Sequence, residues 1–175
     1  MPRLSRETLL PALAGHLLAE GLSGASLRPL ARAAGTSDRM LIYHFGSKEA
    51  LLDAVIAHLA QDMLARLDDA LPPEPATGLH ALAMRLHDLT QAPALAGHFR
   101  LWLELLGAGS RRPAAGAVMD AFGAWLHDRL PSDTPDPDGA VALLLALTEG
   151  GLILLSSGRG DAAHRAIDFA LPPEA

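Results

Sequence analysis

The sequence predicts an all-α protein: three short helices, a long connecting helix, and a helical bundle after it. Three observations carry this. Apolar residues recur at helical spacing in segment after segment, as in Leu10, Leu13, Ala14 and Leu17, or in Leu52, Val55, Ile56, Leu59, Met63 and Leu67. No alternating run of β-branched residues occurs along the 175 positions. Glycines, prolines and capping serines divide the helical segments at intervals that suit short loops.

The first helix is expected from about Ser5 to Glu20, and Gly21 stops it. Pro11 is awkward inside it: either the helix starts near Thr8, with Pro11 in its first turn, or Pro11 kinks it. Ser26 caps a second helix, with Pro29 in its first turn, and Gly35 ends it. Ser37 caps a third, over about Asp38 to His44. Gly46 breaks the chain, and Ser47 caps a long fourth helix that carries the stripe ending at Leu67. The proline-rich LPPEPATG, Leu71 to Gly78, reads as a hinge. Beyond it, helices are expected at about 77–91, 93–107, 113–130, 137–157 and 161–170, separated by Pro93, GAGSRRP, PSDTPDPDG and SGRG. The domains expected are residues 1–50, and residues 51–175 with the fourth helix as the connection.

Composition excludes several function classes. There is no cysteine, hence no disulfide and no thiolate metal site. The N-terminus lacks an uninterrupted apolar stretch followed by a cleavage pattern, so no signal peptide is read and a cytoplasmic protein is expected. The most apolar window, Gly139 to Ser157, is interrupted by Glu149 and a glycine pair, so a buried helix is expected there and no membrane partner. The net charge of −6 argues against a general polyanion binder. Residues 1–60, however, hold six basic and five acidic side chains and so carry +1, leaving −7 on the rest. Any nucleic-acid face belongs in the N-terminal part.

Two short helices joined by a tight turn, the second capped and exposed, have the plan of a helix-turn-helix. Leu27, Leu30, Ala31, Leu41 and Phe45 would form a small core with the first helix and hold the third at a fixed angle. The N–H groups capped at Ser26 and Ser37 can meet phosphates. The ordered set Gly21, Ser26-Leu27, Leu30-Ala31, Ala34-Gly35, Ser37, Leu41, Tyr43-His44-Phe45, Ser47-Lys48-Glu49 and Leu52 resembles the DNA-binding domain of the TetR family of bacterial transcriptional regulators. The resemblance covers about Ser5 to Val55. It implies a homodimer that binds a palindromic operator in double-stranded DNA, most often as a repressor, and leaves it when the C-terminal domain takes a small-molecule effector. Carried onto this sequence, it places Ser37 and Arg39 at base edges or the adjacent backbone, Tyr43 and His44 on phosphates, and Lys48 on the backbone at the start of the fourth helix, with Ser26 and Met40 as further DNA-binding candidates. Ile42 stands where the family usually has tyrosine, Arg39 where a small residue is common, and only Arg3 and Arg6 are available as an N-terminal arm. An alternative from another class is a helical protein-interaction module that has lost DNA binding, which Ile42 and the acidic balance would suit.

Residues 75–175 carry no comparably specific motif. The family position implies an effector pocket for an apolar ligand, with His87, Phe99, Trp102, Leu103, Leu106, Met119, Phe122 and Trp125 as candidates. Glu104 and Glu149 lie within apolar stretches and need partners if buried. The last two helices hold more apolar surface than a monomer's terminal helices require, and the expected dimer interface is Leu143, Leu144, Leu147, Gly150, Gly151, Leu154 and Ile167, with Ile153 and Phe169 beside them. His80 and His87 share a face but have no carboxylate or second imidazole three or four residues on, so no metal and no cofactor is expected. GAGSRRP lacks the lysine of a phosphate loop and no nucleophile triad is recognisable, so no enzyme is expected.

Overall fold

The structure is a computed structural model that describes residues 4–72, 77–107 and 113–173, the side chain of residue 113 excepted. Arg3, the hinge residues 73–76 and residues 108–112 of GAGSRRP lie outside the described residues. The described residues are all helical or loop: α1 Arg6–Glu20, α2 Leu27–Ala33, α3 Asp38–Phe45, α4 Lys48–Ala70, α5 Leu79–Thr90, α6 Ala96–Gly107, α7 Pro113–His127, α8 Pro137–Ser156 and α9 Gly160–Ala170, with a single 3₁₀ turn at Leu22–Gly24.

The helix ends follow local chemistry. Ser5 and Thr8 form a reciprocal capping box at the start of α1. That cap sets the start at Arg6, ahead of Thr8, and Pro11 lies inside the helix on its exposed side. Gly21, at φ +69°, ends α1 and passes its N–H to the Leu17 carbonyl. Ser26 occupies the N-cap position of α2, but its side chain makes no capping hydrogen bond. Asp136 caps α8 through the Gly139 N–H at 3.0 Å, with Pro137 following at the first helical position. Asp136→Ala is expected to remove about 1 kcal/mol of stability, read as a lower Tm in thermal unfolding.

The chain divides into two compact units. One joins the described residues up to Met63 to those from Arg100 to Val118; the other joins Leu64–Phe99 to those from Met119 onward. In the first unit Leu9, Leu13 and Leu17 of α1, Leu30 of α2, Leu41 and Phe45 of α3, and Leu51, Val55 and Leu59 of α4 form one core, which also takes Leu101 of α6. The unit that holds the helix-turn-helix therefore reaches well past residue 50.

In the second unit α5, α8 and α9 pack on one another. Leu82 and Leu86 of α5, Leu144 and Leu152 of α8, and Ile167 of α9 are buried there. Arg129, just past α7, is buried with its guanidinium donating to the Leu71 carbonyl (2.9 Å), the Trp125 carbonyl (2.9 Å) and Asp68 Oδ1 (2.5 Å). It also stacks 3.9 Å over the Trp125 ring, whose indole N–H donates to the same Asp68 oxygen at 2.7 Å.

Among the described residues α8 is the one helix long and apolar enough to cross a membrane by length and composition, and 28% of that window is buried inside the chain. The expectation of a buried helix holds for one stripe only: Ala140, Leu144, Thr148, Gly151 and Leu152, spaced by three, four and one residues, face inward.

Candidate nucleic-acid interface

α3 is positioned by two anchors, Leu41 and Phe45, one turn apart and both buried. The opposite side of the helix is thereby committed to solvent. Arg39 and Tyr43, also one turn apart, lie on it, both exposed, and Tyr43 is 77% exposed. The turn from α2 is fixed by Gly35 at φ +62° and by the Thr36 N–H donating to the Ala31 carbonyl at 2.9 Å. Ser37 accepts from the Met40 N–H at 3.3 Å, so its hydroxyl is engaged as the cap of α3. Ser47 accepts from the Ala50 N–H at 3.0 Å and starts α4, which puts Lys48, half-buried, at that helix's first position.

The DNA-contact residues expected from the sequence thus divide. Arg39, Tyr43, Ser37 and Ser26 are exposed, and Met40 and Lys48 half-buried, around the α2–α3 turn and the two ends of α3. Arg28 and Arg32 on α2 are exposed as well, and among the described residues neither they nor Arg39 form an ion pair. His44 differs from the expectation. Its Nε2 is enclosed and has no hydrogen-bond partner, and its ring meets the edge of Tyr43 at 5.2 Å between centroids. So enclosed, Nε2 is not offered to a phosphate. Ile42, in place of the family's usual tyrosine, is half-buried.

The eight residues expected to line an effector pocket do not share one environment. Trp102, Leu103 and Leu106 belong to the first unit, with Leu106 exposed; His87, Phe99, Met119, Phe122 and Trp125 belong to the second. Phe122 and Trp125 stack at 5.6 Å, and Trp125 is held in the Arg129–Asp68 network, so both serve the core of that unit. Of the eight, His87 lines two cavities in the second unit. One is a small cavity of about 10 Å³, room for one water at most, between α5, α8 and α9, lined by Ala83, Thr148, Gly151 and Ile167 among others. The other is an open groove of about 450 Å³ lined by Met84, His87 and Asp88 of α5, by Gln91 just past it, and by Gly160, Asp161, His164 and Arg165 of α9. The groove was not legible in the sequence, because its lining alternates between two helices seventy residues apart.

The expected dimer residues divide too. Leu144, Gly151 and Ile167 face inward within their own unit, and Leu147 lines the small cavity between α5, α8 and α9. Leu143, Gly150 and Leu154 are half-buried, while Ile153 and Phe169 are 57% and 91% exposed. Residues buried within one chain have no surface to offer a second, so Leu144, Gly151 and Ile167 leave the candidate interface and Ile153 and Phe169 move to its centre.

The histidines do not converge. His80 Nδ1 donates to the Leu171 carbonyl at 2.5 Å, with Nε2 3.9 Å from Asp168, while the His87 ring meets that of His164. Among the described residues no three His, Asp or Glu side chains are grouped as a metal site.

Residues 12–55 match the sequence profile described as bacterial regulatory proteins, tetR family. Over nearly its whole length the chain is 27% identical to the HTH-type transcriptional regulator BetI of Serratia proteamaculans, covering 98% of this chain and 90% of that one. It is 29% identical to the HTH-type transcriptional regulator UidR of Escherichia coli, over 57% of this chain and 48% of that one. Its fold matches the crystal structure of a putative TetR-family transcriptional regulator from Rhodococcus sp. with a TM-score of 0.70 at 21% identity, covering 94% of this chain and 95% of that one. A crystal structure of the multidrug binding protein EbrR complexed with imidazole matches with a TM-score of 0.65 at 21% identity, covering 99% and 98%.

Proposed function

Because the chain belongs to the TetR family of bacterial transcriptional regulators, we propose that it is a ligand-responsive repressor that binds a palindromic operator as a homodimer and leaves it when a small-molecule effector binds. The observation that carries the DNA-binding half is the α3 face. Leu41 and Phe45 fix the helix, and Arg39 and Tyr43 project from the opposite side, where a major groove can receive them. Residues 1–50 are the part that meets DNA, and α4 is the connection to the rest.

Dimerisation is supported by the apolar surface left on α8 and α9. Ile153 and Phe169 are apolar and exposed on the last two helices, which suits a two-fold packing of those helices against a second copy. Light scattering should give a dimer at micromolar concentration, and Ile153→Glu with Phe169→Glu should give a folded monomer. A wild-type monomer at that concentration contradicts the proposal.

For the effector, the groove at His87 is the best supported site, and its lining changes the expected chemistry. Asp88, Gln91, Asp161, His164 and Arg165 suit a ligand with charged or hydrogen-bonding groups, rather than the apolar effector that the aromatic residues had suggested. Release follows as a population shift: an effector that prefers a dimer with the wrong separation of its α3 helices lowers operator affinity by that preference.

The deciding experiment is selection of duplexes from a random pool by the wild-type protein. Recovery of an inverted repeat supports the reading. The interaction-module reading is favoured by Ile42 and by the enclosed His44 Nε2, and recovery of no duplex would select it.

A further inference from the structure

The C-terminal end of α1 is completed from α6. α1 has no basic residue in its last turn, so its final carbonyls and the negative end of its dipole lack a local cation. Arg100 supplies one. Its guanidinium donates to the Leu18 carbonyl and, at 3.3 Å, to that of Ala19. One helical turn further along α6, Glu104 Oε2 accepts from the Leu22 N–H at 2.7 Å. Leu22 opens the 3₁₀ turn that leads towards α2, so this N–H has no partner within the turn itself. Glu104 Oε1 lies 3.9 Å from Arg100 Nε, which joins the two contacts into one unit. The site is shaped for that carboxylate: a Cβ at Gly21 would meet its atoms at 2.5–2.9 Å. Leu101, between the two, is buried in the same core as α1, α3 and α4.

We propose that Arg100 and Glu104 are positioning residues for DNA binding: a two-point clip that fixes α1, and the turn into α2, to α6. The proposal rests on the reading of the chain as a DNA-binding regulator. Apolar packing is non-directional and leaves a helix free to turn or slide by small amounts. The clip adds directional, charge-assisted bonds at the end of α1 nearest the turn into the helix-turn-helix. α1 shares its core with Leu41 and Phe45, so a rotation of α1 tilts α3 and misaligns Arg39 and Tyr43 in the groove. Operator binding and closure of the clip then favour each other. Trp102 and Leu103 lie between Arg100 and Glu104 in sequence but project from other sides of α6, so whatever displaces that helix also strains the clip.

The test uses the full chain and a duplex selected from a random pool by the wild type. Dissociation constants for Arg100→Ala, Glu104→Ala and the double variant are measured on that operator and on a scrambled duplex. The folded fraction is fixed by circular dichroism at the same temperature. Each single variant is expected to lose about tenfold on the operator while changing little on scrambled DNA. The double variant is expected to lose no more than about the worse single one, since the pair acts as a unit. Glu104→Gln, which still accepts from the Leu22 N–H, should recover most of the loss. Hydrogen exchange at the Leu22 amide should slow when operator binds to the wild type and not in Glu104→Ala. Where the alanine variants fold poorly, Arg100→Lys decides. It keeps the charge but stops one bond short of the Nη2 that reaches both carbonyls and lacks the Nε that faces Glu104, and a loss of about fivefold supports the clip while wild-type affinity overturns it. Folded variants that bind the operator as the wild type does, or that weaken on both duplexes alike, overturn the clip alone. A wild type that selects no duplex overturns the DNA-binding reading and the clip with it.

Discussion

Replacing Arg129 with alanine should lower the unfolding free energy of the second unit by about 3 kcal/mol, towards the lower end of what breaking a buried ion pair costs. Arg129 is 3% exposed and its guanidinium satisfies two carbonyls and a carboxylate while covering the face of Trp125. Alanine leaves the Leu71 and Trp125 carbonyls without their donor, and Leu71 itself is 1% exposed. The Asp68 side chain is 55% exposed and rehydrates, which keeps the loss from being larger. Asp68→Asn keeps an acceptor for both donors and should cost less, about 1–2 kcal/mol. Urea unfolding followed by indole fluorescence reads both variants. A loss under about 1 kcal/mol for Arg129→Ala would mean that water replaces the guanidinium at both carbonyls.

Arg39→Ala and Lys48→Ala should fail in different ways. Arg39 is exposed on the same side of α3 as Tyr43, where a long side chain can reach a base edge; a bidentate contact to guanine is worth about 1–3 kcal/mol of discrimination. Its loss should flatten the preference among operator variants and leave scrambled DNA bound nearly as before. Lys48, at the first position of α4, is expected to read charge only. Its loss should weaken every duplex alike and reduce the salt dependence by about one ion per subunit. Binding isotherms for both variants on operator and scrambled DNA, at several salt concentrations, separate the two patterns. If Arg39→Ala weakens both duplexes equally, Arg39 is a backbone contact and specificity belongs to Ser37, Met40 and Tyr43.

The helix-turn-helix was legible in the sequence because its signals are local. Ser37, Gly35, Gly46 and Ser47 mark ends by chemistry that acts within a few residues, and the spacing of Leu41 and Phe45 shows the buried side of α3 without reference to the rest of the chain. The start of α1 near Ser5 was legible too, and the Ser5–Thr8 capping box, also local, removes the alternative start near Thr8 that Pro11 had left open. The inward side of α8 was not legible for a different reason. A helix apolar nearly all round has no stripe, so Leu143 and Leu144 look equivalent in sequence although one is half-buried and the other fully enclosed. Trp125 looked like a ligand-binding aromatic because its partners, Asp68 and Arg129, are tied to it by folding rather than by any pattern. The partner of Glu104 is 82 residues distant, so only its need for one could be read.

The place of α6 in the first unit bears on how this chain could be taken apart and recombined. Leu101 lies in the core of α1 to α4, and Arg100 and Glu104 finish the end of α1. A DNA-reading cassette cut after Met63 for grafting onto a foreign sensor would carry a gap where Leu101 sat and an uncapped helix beside it. The transferable piece is discontinuous: the first 63 residues plus a matching turn of α6, supplied by the host sensor or transplanted with them. On the ribosome the same geometry means that the recognition helix, which ends at Phe45, reaches its final setting only after the chain has been made as far as Glu104.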